Sequence, residues 1–499
     1  MAPIEPGAGT GLSHRLRTAS RPTLIGYYVL LWLGPAGMLA AYWLIPSQSE
    51  LLGAALAMVT LAWACLILMA FSRGVTDANF IFLFFFLIYQ VVNPALYVSG
   101  TAWVGEGDFF VENWQAARIG SLYGLFGLAT YAVGMWIGTR SPVRPSGEGR
   151  DLLTPWVTDR AVLILGVVAI LAWAALFVRS GMPIDAFLGR PEERSRGGED
   201  ITSGGFGVFL ELAFLMNIAV LVYFIGDPNR RIFSLSGASI LYLVVLSNSI
   251  RGSRLVLVMS VVGVLVAQAV LRRGRSESAI PVSAARRVLQ VGGMLLGGVA
   301  LFVLAIGYGI YRTGGGNKEL DVDRVLFFMA NVFDTSITYF MVLQKVPSQI
   351  EYWMGKSFLT HGILRIPTVF FPEKYDHLWA SAKFTLLFYG YDQNQAGTVA
   401  RGFSMFAELF LNFGVYGIVI AMLFFGWMNT VLSRMAFRPG VTRYFIVLYV
   451  FYLLYFVPFS FKSGLSQAFV YADLKILPFI LIVLLLRRLE SMRPAAVMR

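Results

Sequence analysis

Residues 403–433 read FSMFAELFLNFGVYGIVIAMLFFGWMNTVLS, with Glu408 as their one charged side chain. Apolar residues fall on every face of a helix drawn through this stretch, so no water-facing stripe is left. A helix that is hydrophobic all round is buried in a large core or in lipid. About 20 apolar residues at 1.5 Å each cross a bilayer. Residues 403–433 exceed that length, and a bend is expected around Asn412-Phe413-Gly414.

Working outward, eleven further apolar runs of similar character lie near 24–45, 51–71, 79–99, 116–138, 161–180, 206–226, 232–249, 254–271, 288–311, 443–460 and 468–486. Backbone in hydrocarbon must satisfy its own hydrogen bonds, so such runs read as helices. The chain is 57% hydrophobic and 14% charged, against nearly half and a quarter in soluble domains. The expectation is an all-α polytopic membrane protein of about 12 transmembrane helices. The first run is too long for a cleaved signal core and reads as a retained anchor. The one cysteine, Cys65, lies inside the apolar run 61–69, so no intrachain disulfide or Cys-based metal cluster is expected.

Basic residues in short loops set orientation. With the N-terminus inside, Arg73, Arg140, Arg144, Arg150, Arg230, Arg231, the 272–287 stretch, Arg434, Arg438, Arg443, Arg487 and Arg488 all fall on the cytoplasmic side. The expected organisation is a cytoplasmic tail 1–23, a bundle of nine helices over 24–311, a large periplasmic loop 312–402, three helices over 403–487, and a cytoplasmic tail 488–499. Both termini are then cytoplasmic. Loops of about 90 residues are uncommon and usually functional or disordered. This one carries Trp353, Phe358, Phe370, Phe371, Trp379, Phe384, Phe388, Tyr389 and Tyr391, a composition unlike that of disordered chains. Its apolar stretches 325–343 and 357–371 are expected to form helices on, or dipping toward, the membrane surface.

Phosphate-loop, HExxH and GxSxG signatures are missing from the sequence, and only three histidines occur, His14, His361 and His377. The cytoplasmic loops are too short to fold a nucleotide-using domain. A formal charge of +12 therefore reflects inner loops rather than nucleic acid. Against the inside bias, the outer segments hold Arg190, Arg194, Arg196, Arg251, Arg254, Arg312, Lys356, Arg365, Lys374, Lys383 and Arg401. Arginine offers a planar fork of donors suited to phosphate oxygens. For any single residue, the plainer account is an ion pair with a local carboxylate or contact with lipid head groups. As a set they point to an anionic ligand at the outer surface. Glu408, a carboxylate within a span, is a functional candidate in its own right; its plainer account is a buried pair with Arg401 or a backbone partner. Glu211 invites the same reading more weakly, and Asp473 and Lys475 read as charge compensation.

Three patches together resemble the Wzy-type O-antigen polymerases. They are the Gly252-Ser253-Arg254 turn opening an apolar helix, the loop stretch Arg365-Ile366-Pro367 followed by Phe371-Pro372-Glu373-Lys374, and Phe406-Ala407-Glu408-Leu409-Phe410-Leu411-Asn412-Phe413-Gly414. In one departure, Arg365 precedes the proline, where the family often has proline first. The resemblance implies a fold akin to GT-C-type glycosyltransferases and O-antigen ligases. It implies a polyprenyl-diphosphate-linked oligosaccharide as substrate in the bacterial inner membrane, membrane lipids and a chain-length regulator as candidate partners, and no cofactor, metal or nucleic acid. The diphosphate is assigned to Arg251, Arg254, Arg312 and Arg365, with Arg401 and Lys383 as second choices. Glu408 is the first candidate for base or for orienting an arginine, with His361 or Asp392 as alternatives. Glycan contacts are assigned to Arg190, Arg194, Asp392 and Trp379. Two other readings stand beside it. One is an O-antigen ligase-type transferase sharing the donor chemistry. The other is a 12-helix transporter or flippase, which would place its polar residues nearer the bilayer midplane.

Overall fold

The computed structural model describes residues 76–92, 114–143, 151–181, 207–227, 229–230, 234–251, 254–275, 335–364, 380–389, 403–438 and 440–492, with residues 36, 56, 59, 60, 63 and 64. The predicted spans at 24–45, 51–71 and 288–311 therefore lie almost wholly outside the described residues. Each of the other nine predicted runs meets a described helix. Five described helices are long and apolar enough to cross a membrane: Gln115–Arg140, Pro155–Arg179, Met405–Ala436, Arg443–Ser463 and Leu465–Ser491.

The chain divides into two compact units. The first comprises Met1–Val143, Met329–Arg434 and Pro458–Gln467. It contains α1 (Ala78–Leu87), which continues as a π-helical turn over Ile88–Val92, and α2 (Trp114–Arg140). The second comprises Arg144–Phe328, Met435–Val457 and Ala468–Arg499. It contains α3 (Pro155–Ser180), α4 (Gly207–Ala213), α5 (Leu215–Gly226), α6 (Leu235–Arg251) and α7 (Arg254–Arg275). The first unit resumes with α8 (Thr335–Lys345), α9 (Lys356–Leu364) and α10 (Ala380–Tyr389). The last elements are α11 (Met405–Ala436), α12 (Arg443–Phe451) with a π turn at Tyr452–Phe456, α13 (Val457–Ser463) and α14 (Leu465–Ser491).

α3 shows how sequence becomes a lipid-facing helix. Thr154 caps it by accepting from the Val157 N–H at 3.3 Å, Pro155 occupies its first turn, and Gly181 at φ +62° ends it. These are the usual start and stop devices. Val157, Ala161, Leu165, Ala169, Ala172 and Leu176 form its buried stripe, while Leu163, Val167, Ile170, Leu171 and Val178 are exposed. Both faces are apolar, so the outer face meets hydrocarbon. Within the second unit α5 is the central strut, packing on α3, α6, α7 and α12.

In the first unit α2 and α11 cross at backbone contact. A Cβ on Gly134 would stand 2.1 Å from the Leu423 carbonyl oxygen, and one on Gly426 would stand 2.1 Å from the Tyr131 carbonyl oxygen. Small residues that admit such an approach drive helix association in lipid, where the hydrophobic effect between helices is absent. Beside the crossing, polar side chains bond across helices. Asn79 Oδ1 accepts from Tyr131 Oη at 2.9 Å, Asn429 Nδ2 donates to Tyr131 Oη at 2.9 Å, and Ser433 Oγ donates to Asp77 Oδ1 at 3.0 Å.

Helix ends gather within each unit. In the first unit Arg434 donates to the Gly138 and Ser141 carbonyls at 2.6 and 2.7 Å, and Ser433 Oγ accepts from Ala78 N at 2.9 Å. The start of α1 and the ends of α2 and α11 thus share one side. In the second unit Arg443 bonds the Gly226 carbonyl and pairs with Asp151, Arg230 pairs with Asp159, and Thr154 donates to Glu490 at 2.8 Å. The starts of α3 and α12 share a side with the ends of α5 and α14.

Candidate functional site

The stretch from Glu408 to Gly414 lies in the first turns of α11, within the first unit. Ser404 starts α11, its Oγ accepting from the Ala407 N–H at 3.0 Å. Two turns on, Gly414 adopts φ 61°, ψ −153° inside the helix, a conformation open to glycine and strained for other residues. The expected bend is therefore present at the expected residue. Breaking the helix there frees carbonyls that would otherwise be used by the next turn. The chain just ahead of α9 supplies the missing donors. The Trp353 N–H donates to the Leu411 carbonyl at 2.8 Å, and the Met354 N–H to the Asn412 carbonyl at 3.1 Å.

Asn412 completes this dock with its side chain. Its Oδ1 accepts from the Gly355 N–H at 2.9 Å, and its Nδ2 donates to Ser357 Oγ at 2.9 Å and to the Glu408 carbonyl at 2.8 Å. Asn412 is fully buried. Phe413 stacks on Phe358 with ring centroids 6.4 Å apart, and Tyr352 packs edge-on to Phe410 at 6.1 Å. The helix that begins here, α9, carries His361 and ends one residue before Arg365. The dock thus fixes the root of the segment that bears two candidate residues.

Glu408 is also fully buried, and its carboxyl is engaged by the chain at the start of α14. Oε2 accepts from the Ser466 N–H at 2.9 Å, and Oε1 accepts from Ser466 Oγ. Gly464, at φ +91°, makes room for this: a Cβ there would lie 2.8 Å from Glu408 Oε2. A first-turn N–H of a helix has no intrahelical partner, so Glu408 acts as a cap reaching in from α11. The backbone partner weighed in the sequence is the one found, with the Ser466 hydroxyl added.

The other candidates distribute as follows. Arg251 ends α6 and Arg254 opens α7, so the predicted turn between two apolar helices is present. Lys383 is exposed on α10, with its ammonium 5.6 Å from the centre of the Trp353 ring. His361 lies on α9. Arg190, Arg194, Arg312, Arg365, Trp379, Asp392 and Arg401 lie outside the described residues. The stretch expected to lie along the membrane surface within 325–343 is described from Thr335. There α8 is buried from Thr335 to Val342, packed on α2 and on the π turn of α1.

Two buried polar groupings lie in the second unit; the sequence reading named Glu211 and Lys475 without pairing them with each other, and passed over Asn217. Asn217 Oδ1 accepts from Asn248 Nδ2 at 2.7 Å and from Ser260 Oγ at 2.5 Å, and Ser260 Oγ lies 3.0 Å from Tyr455 Oη. These bonds tie α5 to α6 and α7, the helices that end and begin with Arg251 and Arg254. Nearby, Lys475 pairs with Glu211 at 2.6 Å, both largely buried, with the ammonium 4.9 Å from the Phe214 ring centre. The signal available was a lone amide in an apolar run, Asn217 within 206–226, which is costly in lipid unless partnered.

The apolar helices and the polar ties between them define a multi-pass helical membrane protein. The O-antigen polysaccharide polymerase Wzy family matches residues 200–492, more than half of the chain. The chain belongs to that family, as the resemblance in its sequence implied. No curated protein and no solved structure matches it.

Proposed function

We propose that the chain polymerises polyprenyl-diphosphate-linked oligosaccharide repeat units at the outer face of the bacterial inner membrane, with both termini in the cytoplasm. A sugar hydroxyl of one lipid-linked repeat attacks the anomeric carbon of another. The bond from that carbon to the diphosphate oxygen breaks, the lipid diphosphate departs, and the hydroxyl proton passes to His361, Asp392 or water. Arg251, Arg254, Arg312 and Arg365 hold the departing diphosphate, with Arg401 and Lys383 in support. Fixed cations aimed at developing charge are among the largest contributors to catalysis. Arg190, Arg194, Asp392 and Trp379 contact the glycan.

The observation that carries this reading is the family membership of residues 200–492. The dock at Asn412 and Gly414 supports it, because it anchors α9 immediately ahead of Arg365. The amide hub at Asn217 supports it in the same way for Arg251 and Arg254. Glu408 takes a structural role, tying α11 to the start of α14, rather than that of the base, since both its oxygens are engaged by Ser466.

The test is Arg254→Ala and Arg365→Ala in cells, read as glycan chain length on a gel at matched protein levels. Loss of long chains is expected, with poor rescue by lysine, which lacks the two-pronged contact. Full-length polymer from both alanine variants refutes the assignment. Purified protein in detergent should lengthen a lipid-diphosphate oligosaccharide without a membrane gradient, which a transporter would not do. Transfer to a different lipid acceptor in place of chain growth would mark a ligase.

A further inference from the structure

Among the described residues of the first unit, Gln90 Nε2, Ser336 Oγ and Tyr339 Oη are buried polar atoms with no hydrogen-bond partner. Ser336 and Tyr339 are 0% and 1% exposed. Leaving such a group unmade costs roughly 1–3 kcal/mol, and most buried polar groups avoid it. Three in one neighbourhood call for an explanation. Thr335 Oγ1 donates to the Tyr89 carbonyl at 3.5 Å, so Ser336 and Gln90, the next residues on each element, lie at the same junction. Tyr339 is one turn along α8 from Ser336 and so shares its face. The Tyr339 ring lies 5.9 Å from Phe406 and 6.4 Å from Phe410, while Tyr123 stacks on Phe410 at 5.9 Å. Gln90 itself sits in the π-helical turn Ile88–Val92, an irregularity found often at functional sites.

We propose that Gln90, Ser336 and Tyr339 form a binding subsite for an uncharged sugar residue of the glycan. The donor set decides the chemistry. An amide N–H, a hydroxyl and a phenol match sugar hydroxyls, which donate and accept in turn. None of the three is a cation, as a phosphate would need, or a carboxylate, as a hard metal ion would need. An acyl chain would leave all three unpaired. Burial, with the Tyr123 phenol adding to it, holds the Tyr339 phenol well above its ordinary value, so it stays a donor at any physiological pH. The sugar enters as α8 lifts from the π turn. The 3.5 Å Thr335 contact is at the long limit of a hydrogen bond and resists that movement weakly.

The ligand's identity as a glycan rests on the polymerase reading; the unpartnered junction does not. The experiment uses the full chain in lipid nanodiscs and the host's own repeat-unit oligosaccharide, released from its lipid by mild acid. Sugar affinity is measured by calorimetric titration, and amide exchange over residues 335–345 is followed with and without sugar. Tyr339→Phe, Ser336→Ala and Gln90→Leu should each weaken binding about three- to tenfold. Each should melt no lower than the parent protein, because the group removed had no partner. Saturating sugar should change exchange in α8 of the parent protein, and each variant should need about three- to tenfold more sugar for the same change. Unchanged affinity in all three variants, or lower melting of the sugar-free variants, overturns the proposal. So does a parent protein that binds no sugar while it still polymerises lipid-linked repeats, a result that leaves the polymerase reading standing. Purified protein that fails to lengthen a lipid-diphosphate oligosaccharide would remove the polymerase reading whatever the titration shows.

Discussion

Replacing Glu408 separates a structural post from a proton acceptor. In Glu408→Ala the Ser466 N–H and hydroxyl both lose their acceptor in a fully buried place. Hydrogen bonds to a carboxylate contribute about 1.5–3 kcal/mol each, so the expected loss is about 3–6 kcal/mol. Glu408→Gln keeps the length and shape. Its carbonyl oxygen can accept from the Ser466 N–H, and its amide can donate to the Ser466 oxygen. Two neutral bonds contribute about 1–3 kcal/mol together, which leaves a loss of about 2–3 kcal/mol. The assay is equilibrium unfolding of purified protein in mixed detergent micelles, paired with glycan chain length in cells. Glutamine should keep long-chain polymer in proportion to the protein that folds, and alanine should lose both fold and polymer. A glutamine variant that folds normally yet makes no polymer would show that the carboxyl handles a proton. An alanine variant as stable as the parent would show that the tie to Ser466 contributes nothing.

Lys475→Met should destabilise by about 3–5 kcal/mol, because it strands Glu211 without its ion partner. The double change with Glu211→Leu should recover most of that in the same unfolding assay. Asn217→Leu removes an acceptor shared by Asn248 and Ser260 and should cost about 2–4 kcal/mol. Its polymer should shorten more than a control variant of equal stability. Gly134→Ala and Gly426→Ala each drive a methyl group into a backbone carbonyl, and each should cost upward of about 2 kcal/mol, seen as lower melting. Asn412→Leu should free the α9 root and raise protease cleavage between residues 350 and 365, while Asn412→Asp, which keeps the acceptor for Gly355, should do so less.

The sequence carried the apolar runs because lipid demands continuous hydrophobic length, and nine of twelve meet described helices. It also carried the bend at Gly414, since a glycine after Asn412-Phe413 is a local signal. The dock onto α11 was not legible: it is made by backbone N–H groups of residues 353–355, which any residue type would supply. The helix α8 was legible in the apolar stretch 325–343, but its burial against α2 and the π turn was not. Thr335, Ser336 and Thr338 make its start look like a surface segment, yet it is buried. The Glu211–Lys475 pair joins charges far apart in the chain, and only packing brings them together. Glu408 was singled out correctly as a carboxylate in a span, but its partner, Ser466, carries no sequence signature.

The dock at Asn412 and the start of α11 at Ser404 have a joint effect on what lies between Ser357 and Phe403. Both stems of that segment are held on the same helix, eight residues apart, or about 12 Å along its axis. Phe403 is clasped by Phe384 at 5.0 Å, which steadies the returning stem. Closing such an arch costs only about 0.6 kcal/mol more each time its length doubles. Insertions or deletions between its assigned residues can therefore be accommodated while the supporting piers stay put. The cost of lengthening the segment is thus small beside the cost of losing either pier.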